Sequence, residues 1–406
     1  MSTERVVNDA LTRLLWLERR IDPLVRPAID KLVRPPLQAA VQWLGRRRLP
    51  DPGPGLARER RLAGEEQIVG EIVASMEKFV RREYGPGQAQ RAGNTKTYGV
   101  VRGEFEVLDG IPGNLNHGLF ARPGNYLAWV RLAGPGPLAP ADLRDNAIMS
   151  IGVKVMGVPG TKLSEDEKHT QDFLGISAPT FTTPDVRENL QLQREVWNRT
   201  PLLYFIRPGS SHWCDLVMQG LYAKTAASPL QVTYYSCVPY LLGAGQAMQF
   251  RFAVRPFPFR RVPFRPGPDY LREALVRTLA EREVLFDMLV QVQTDPHRMP
   301  IEHAGIIWPA RLSPPVRVAV LRLPQQQCDS PAQRAFADNL SFNPWHALPE
   351  HRPLGNQNRA RLAIYTTLSR VRQQMNSAAH FEPTGREEFP DEKSQERFAC
   401  PVEGRP

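Results

Sequence analysis

Short apolar runs with strand character, separated by proline and glycine, dominate the middle of this 406-residue chain. Each run either alternates apolar with polar positions or is rich in β-branched and aromatic residues, as strands are. Six such runs lie at residues 98–107, 126–132, 151–156, 230–236, 247–254 and 316–323. The 39 prolines fall largely between the runs, which favours long ordered connections over a helical bundle. Together these features predict an antiparallel β-barrel.

Helical patterns flank the strands, so the expected class is α+β. Apolar positions three or four apart predict helices at about residues 64–82, 268–283 and 358–375. Residues 1–55 are interpreted as a basic amphipathic arm with a linker, and residues 56–376 as the main domain. Residues 377–406 are polar and proline-containing, and we expect this tail to be disordered.

The arm carries an apolar stripe at helical spacing, interrupted by arginine and proline and closed by Arg46-Arg47-Arg48. The stripe consists of Leu11, Leu14, Leu15, Trp16, Leu17, Ile21, Leu24, Val25, Ile29, Leu32, Val33 and Leu37. A basic amphipathic helix of this kind can lie in a membrane interface. It can equally pack on its own barrel or on a partner subunit, and the sequence leaves these arrangements open.

The formal net charge of +10 comes mostly from arginine. It indicates either an ordinary solvated surface or an acidic partner, such as a phospholipid surface or a cofactor with carboxylates such as haem. No zinc-finger spacing or RNP-like motif favours nucleic acid. The four cysteines form no CxxC pair, so we expect reduced thiols in a cytoplasmic protein, peripheral on a membrane if the arm binds lipid. No phosphate-loop, HExxH or GxSxG motif occurs in the sequence.

One helical stripe near the C-terminus contains candidate functional residues. Arg361, Tyr365, Leu368 and Arg372 lie at i, i+4, i+7 and i+11. A phenol ionises near pH ~10, but an arginine one turn away favours the phenolate, which is a hard anionic ligand suited to ferric iron. A second arginine on the same face can meet a carboxylate of haem.

The same residues resemble a known family. Arg361-x-x-x-Tyr365 followed by Arg372 is similar to the proximal signature of catalases. The segment 341–355 resembles the signature of the smaller catalase-like proteins, which include allene oxide synthase-like haem domains. Further similar segments lie in the expected order at residues 104–107, 129–131, 154–160, 170–174 and 299–302. The resemblance covers roughly residues 85–375 and implies a catalase-type antiparallel β-barrel with surrounding helices.

The resemblance also implies a haem b site. Tyr365 would be the axial iron ligand and Arg361 the residue that stabilises its phenolate. Arg91, Arg131 and Arg372 match the arginines that bind the haem propionates in this family.

The distal side departs from the family pattern. The position of the distal histidine is Asn94, and the serine that supports this histidine is replaced by Ala133. The segment where a distal asparagine is expected contains Ile176 and Ser177 instead. Asparagine cannot shuttle a proton, and general acid–base help is worth roughly 10²–10⁴-fold, so we expect poor peroxide dismutation.

Three functions follow from the resemblance. The first is a haem enzyme of lyase, isomerase or peroxidase type, in which Asn94 and Ser177 contact an organic substrate such as a lipid hydroperoxide. The second is a non-catalytic haem-binding protein, and the third is a slow, unassisted peroxidase. The expected partners are a small organic molecule, a membrane surface at residues 1–50 and a second copy in a homo-oligomer, but not nucleic acid.

Overall fold

The computed structural model describes residues 3–49, 55–145, 147–258 and 260–389. The strands are β1 (Thr97–Val107), β2 (Gly124–Ala133), β3 (Ser150–Val155), β4 (Gln171–Ile176), β5 (Tyr234–Tyr235), β6 (Tyr240–Leu241), β7 (Ala247–Val254), β8 (Val284–Val292) and β9 (Val316–Leu323). The helices are α1 (Thr3–Ala28), α2 (Arg34–Arg47), α3 (Glu65–Glu83), α4 (Val186–Asn198), α5 (Leu203–Ile206), α6 (Trp213–Tyr222), α7 (Tyr270–Glu281), α8 (Pro331–Asn339) and α9 (Asn356–Met375).

The strands form one antiparallel sheet in the order β5-β4-β3-β2-β1-β9-β8-β7-β6. The short strand β5 pairs with β4 on one side and with β7 on the other, through Tyr235 opposite Ile176 and Arg251. This double pairing closes eight of the strands into a barrel. The predicted α+β fold, an antiparallel barrel with surrounding helices, is therefore confirmed.

Alternating side chains fill the barrel. In the second half of β1, Phe105 and Val107 are buried whereas Glu104 and Glu106 are exposed, as expected for a strand with one face toward a core. The core includes stacked aromatic rings, such as Phe105 on Phe173 with centroids 5.7 Å apart. Dense apolar packing of this kind keeps the barrel rigid and fixes the positions of residues at its rim.

Most predicted elements are confirmed, and three strands were missed: β4, β8 and the two-residue strand β6. The run at 230–236 forms only the two-residue strand β5, because residues 229–231 form a 3₁₀ turn. Strand β4 was missed because it begins with Gln171 and Asp172, which are both buried although polar. Strand β8 was missed because apolar residues occupy both its inward-facing and its outward-facing positions, which hides the alternation.

The arm is helical throughout its described part. Helices α1 and α2 are joined by a π-helical segment, Ile29–Val33, in which the N–H of Arg34 donates to the carbonyl of Ile29. The segment lies directly before Pro35 and Pro36, which have no N–H groups to continue an α-helix. The arm packs on its own domain, and no helix among the described residues is long and apolar enough to cross a bilayer.

The beginning of the C-terminal tail is ordered, which corrects the expectation of disorder from residue 377. Phe389 packs on Trp129 and Phe336, with ring centroids 5.7 and 5.2 Å apart. The Trp129 indole N–H donates to Glu387 over 2.7 Å. The prediction failed here because two side chains, Phe389 and Glu387, anchor an otherwise polar segment. Residues 390–406 of the predicted tail, and residues 51–54 of the predicted linker, lie outside the described residues.

Candidate functional site

The proximal helix α9 begins at a constrained turn. Gly355 has φ of 86°, and a Cβ there would lie 2.5 Å from the carbonyl oxygen of Ile301, so only glycine fits. The Glu302 carboxylate then accepts the N–H of Asn356, the first helical residue, over 2.7 Å. A carboxylate at a helix N-terminus is favourable because it meets the positive end of the helix dipole.

An ion-pair network holds the first turn of α9. The Arg359 guanidinium lies among three carboxylates, 2.6 to 3.0 Å from its nitrogens: Glu59, Glu65 and Glu302. Although burial opposes its charge, these carboxylates hold the pKa of Arg359 above its ordinary value. The network ties α9 to the segment before α3 and to the loop after β8, so the angle of the helix is fixed.

Tyr365 and Arg361 are one turn apart on α9 and interact directly. Nη2 of Arg361 donates to the Tyr365 phenol oxygen over 3.4 Å, and Nη1 donates to Oδ1 of Asn358 over 3.0 Å. Burial opposes the charge of Arg361, but the phenols of Tyr365 and Tyr240 hold its pKa above the ordinary value. A buried guanidinium therefore lies beside a half-buried phenol oxygen, and the two interact electrostatically.

Three further arginines, Arg91, Arg131 and Arg372, form a group that we call the arginine cluster. Arg131 and Arg372 are buried and Arg91 is half-buried. Arg91 donates to the carbonyls of Ala337 and Leu340 over 2.9 and 2.5 Å. Arg372 donates to the carbonyl of Asp338 and, over 3.2 Å, to the hydroxyl of Ser341. These groups lie at the C-terminal end of α8, where the helix dipole favours cations.

No direct ion pair among the described residues neutralises the arginine cluster, although the Asp338 carboxylate acts electrostatically on all three arginines. Burial, with the charge of Arg372 beside it, lowers the pKa of Arg131 to about 9, and burial lowers that of Arg372 to about 10. Burial and the two neighbouring arginines also lower the pKa of Arg91 well below its ordinary value. Within the part of the chain that the structure describes, none of the three forms an ion pair. An anion placed among them would therefore be held favourably.

Asn94 lies beside this cluster. Its backbone is left-handed, with φ of 49°, and its carbonyl accepts from Nη2 of Arg131 over 2.7 Å. Asparagine tolerates this conformation better than most residues. Among the described residues no hydrogen bond occupies its side-chain amide, which leaves a neutral donor and acceptor at this position but no base.

Ser177 is held elsewhere. Its hydroxyl accepts the N–H of Met149 over 2.9 Å, and its own N–H donates to the carbonyl of Met149 over 2.8 Å. In the described residues no hydrogen bond joins it to Asn94, Arg131 or Tyr365. Strand register places Thr97, Ala133, Ser150 and Ile176 in one row, so Ser177 lies about 14 Å along the sheet from the start of β1.

Comparisons of structure identify the fold. A fungal catalase matches with a TM-score of 0.56 at 16% identity, over 82% of this chain and 69% of that one. Catalase A from Saccharomyces cerevisiae matches with 0.56 at 16% identity, over 78% and 69% of the two chains. A bacterial catalase matches with 0.52 at 14% identity, over 88% and 70%. The chain has a catalase-like fold. No protein-family model and no curated protein sequence matches it.

In this catalase-like barrel the predicted site residues fall into two groups. The structure brings Arg361 to Tyr365, and it brings Arg91, Arg131 and Asn94 together with Arg372. The two groups adjoin, because Tyr365 acts electrostatically on Arg131. Ser177 is the member that these contacts do not include. Haem binding, iron ligation and catalysis by these residues stay predictions.

Two residues near Arg361 had no signal in the sequence. Burial raises the pKa of the Cys237 thiol although Arg361 opposes this, and the thiol donates to the carbonyl of Ala178 over 2.9 Å. Burial likewise raises the pKa of Tyr240, again against Arg361. An isolated cysteine and one tyrosine on a short strand match no motif, so only the fold could reveal them.

A second buried charge group, which we call the lysine cluster, consists of Lys154, Glu167, Asp172 and His346. Ligand atoms of the two acids and the histidine lie within 4.8 Å of one another, as in a metal site. Here Nζ of Lys154 lies among them, in contact with Glu167, 2.9 Å from Asp172 and 3.2 Å from Nδ1 of His346. The lysine supplies the cation, so we assign this cluster a structural role.

Proposed function

We propose that the protein is a haem-dependent enzyme that acts on an organic hydroperoxide or another oxidised small molecule, and that it is not an efficient catalase. The reaction would be of lyase, isomerase or peroxidase type. In this proposal Tyr365 holds the iron of haem b, Arg361 stabilises its phenolate, and Arg91, Arg131 and Arg372 hold the propionates. The single observation that carries it is a group of three cations, two of them buried, next to an arginine–tyrosine pair.

The donor set fits a haem. Haem brings two carboxylates, and in each of the three arginines at least one nitrogen makes no hydrogen bond to the described residues: Nε of Arg91, Nη1 of Arg131 and Nε of Arg372. Charge-assisted hydrogen bonds from these nitrogens to carboxylates would offset the burial that lowers the pKa values of all three arginines, and the repulsion that adds to it at Arg91 and Arg131. The Tyr365 phenol, beside a cation, supplies a hard anionic donor for ferric iron.

The chemistry proposed for the site depends on Asn94. A bound ferric haem would supply the redox chemistry that cleaves an O–O bond. The free amide of Asn94 can orient a substrate oxygen by hydrogen bonding, but it cannot move a proton from one oxygen of hydrogen peroxide to the other. Homolytic cleavage of the O–O bond, which divides its electron pair between the two oxygens, needs no such transfer. An organic hydroperoxide then releases an alkoxyl fragment more readily than hydrogen peroxide releases a hydroxyl radical, which favours organic hydroperoxides as substrates.

The test is an absorption spectrum of the protein expressed with a haem supply, compared with Tyr365→Phe and with the control Tyr126→Phe on β2. We expect a ferric tyrosinate-type spectrum in the wild type and in the control, and its loss in Tyr365→Phe. Turnover of organic hydroperoxides in excess of hydrogen peroxide is then expected of the wild type. A colourless wild type would refute the proposal.

A non-catalytic haem-binding protein is the second candidate. The observation that favours it is the separation of Ser177 from Asn94, which leaves one neutral side chain beside the arginine cluster. It predicts the same spectrum but no turnover of any peroxide, so the two candidates are separated by the activity assay and not by the spectrum.

A further inference from the structure

The arm packs on the domain with its polar side. Asp22 and Arg26, both buried, face α6 and the loop that follows it. Arg26 donates to the carbonyls of Leu221 and Ala223 over 3.1 and 2.8 Å, and Asp22 accepts the N–H of Thr225 over 2.7 Å. Burying a charged pair against main-chain partners orients the helix, because any roll would leave buried polar groups unpaired.

Both ends of the arm are fixed in the same way. Near its start, Oδ1 of Asn8 accepts the N–H of Leu202 over 3.1 Å. Near its end, Gln42 donates to the carbonyl of Gly305 over 3.0 Å and accepts the N–H of Ile307 over 2.8 Å. The polar side is therefore held against the domain from residue 8 to residue 42, and the opposite side must face outward.

That outward side is apolar. Six large apolar side chains on this side of the helix are exposed. They are Leu14, Leu17, Ile21, Leu24, Leu32 and Trp43. Leu24 is 82% exposed. At 1.5 Å per residue this stripe, which we call the arm face, runs for more than ~40 Å. Monomeric proteins rarely expose a contiguous apolar surface of this length without a partner.

The charges beside the arm face are mostly positive. Between residues 3 and 48 the exposed cations are Arg5, Arg13, Arg20, Lys31, Arg47 and Arg48, against two exposed anions, Glu4 and Asp9. Lys31 and Arg20 each lie one position from an arm-face leucine or isoleucine. An apolar stripe bordered by cations complements the interface of an anionic bilayer, where acyl chains lie beneath negative headgroups.

A second element continues this surface. Phe264 is 96% exposed and stands between the exposed Arg261 and Arg265. The residues that follow it, Pro266 to Pro268, line a cavity of about 310 Å³ together with Trp16 and Arg20 of the arm. An exposed phenylalanine with neighbouring arginines therefore lies next to the arm, and it repeats the same combination of apolar and basic groups.

We propose that the arm face and Phe264 dock on the surface of a membrane that contains anionic phospholipid. The helix lies in the plane of the interface, with its apolar side toward the acyl chains and its polar side on the protein. A second copy of the chain is a poorer occupant, since a twofold contact would bring the same arginines of both copies together. The proposal does not depend on haem binding.

The experiment is flotation of the full chain with vesicles of phosphatidylcholine alone and with vesicles that also contain phosphatidylglycerol. We expect binding to the mixed vesicles only, weakened by added salt because the headgroup attraction is screened. Leu24→Glu should lower vesicle affinity about tenfold or more, since a charge replaces an exposed leucine that the proposed docking would bury in the membrane. Leu127→Glu, which changes an exposed leucine of β2 in the same way, is the matched control and should bind as the wild type does.

Phe264→Ser tests the second element and should weaken binding without abolishing it. Circular dichroism of each variant checks the fold, which exposed positions should leave unchanged. Failure of the wild type to float with mixed vesicles, or wild-type binding by Leu24→Glu, would overturn the proposal. So would light scattering that shows a lipid-free dimer which Leu24→Glu converts to a monomer, because the arm face would then be an interface between copies.

Discussion

Two groups of buried charge lie on neighbouring strands of the barrel, and they are balanced differently. Lys154 on β3 pairs with Trp129 of β2, two residues from Arg131. The lysine cluster contains its own anions, Glu167 and Asp172, in contact with the cation. In the described residues the arginine cluster has only carbonyl and hydroxyl acceptors.

This difference in charge balance suggests a structural role for the lysine cluster and an anion-binding role for the arginine cluster. Because burial of an unpaired charge is costly, a chain keeps such a group only where a partner arrives from outside or where strain is tolerated. The lysine cluster needs no ligand and ties the loop at His346 to two strands. In the proposed function, the arginine cluster is completed by the carboxylates of a bound haem. Substitutions in the lysine cluster should therefore lower the stability of the protein, whereas substitutions in the arginine cluster should mainly lower its affinity for haem.

The largest effect on stability is expected from Lys154→Met. The change leaves the carboxylates of Glu167 and Asp172 buried without their cation, and we expect the free energy of unfolding to fall by about 3–5 kcal/mol. Guanidinium unfolding monitored by fluorescence measures this, with Lys168→Met, an exposed lysine, as the control. A loss below about 1 kcal/mol would mean that the lysine cluster is not a structural centre.

The lysine cluster also shows why apolar alternation predicted some strands of the barrel and missed β4. Alternating apolar residues predicted β1 and β7, because a side chain on the barrel interior must be apolar unless it has a partner. Strand β4 breaks this rule at Asp172, whose partner Lys154 lies on the next strand. That pairing depends on register between strands, which no local pattern contains.

The arm gives a second lesson of this kind. Its apolar periodicity predicted a helix with one apolar and one polar face. The buried side, however, is the one with Asp22 and Arg26, because main-chain groups after α6 bind them. Periodicity cannot tell which face meets the protein. The arginine cluster was found only by resemblance, since its members lie far apart along the chain.

A smaller effect is expected from pH. Burial and the charge of Lys154 oppose protonation of His346, but the hydrogen bonds that it donates to nearby carboxylates outweigh them and raise its pKa to about 10. Contacts with Lys154 and His346 outweigh burial and lower the pKa of Glu167 to about 2. The histidine contribution is complete below its unfolded pKa and is lost as pH rises toward 10. The glutamate contribution is complete above its unfolded pKa and is lost as pH falls toward 2.

Near pH 6, His346→Gln should therefore lower the free energy of unfolding by on the order of 2 kcal/mol relative to the wild type. This difference should shrink as pH rises toward 10. Urea midpoints across this range, with exposed His297→Gln as the control, measure the difference between variant and wild type. A difference that stays constant with pH would show that His346 acts by packing and not by charge.

The smallest effect on stability, and the sharpest contrast with Lys154→Met, is expected from Arg372→Met. The lost hydrogen bonds to Asp338 and Ser341 are offset by relief of repulsion with Arg91 and Arg131, so the haem-free protein should change by less than about 1 kcal/mol. Haem affinity, followed by absorbance titration, should fall about tenfold or more because a charge-assisted contact to a carboxylate is removed. If Arg372→Met destabilised the haem-free protein as much as Lys154→Met does, this prediction would be contradicted, because the arginine cluster would then be a structural centre like the lysine cluster.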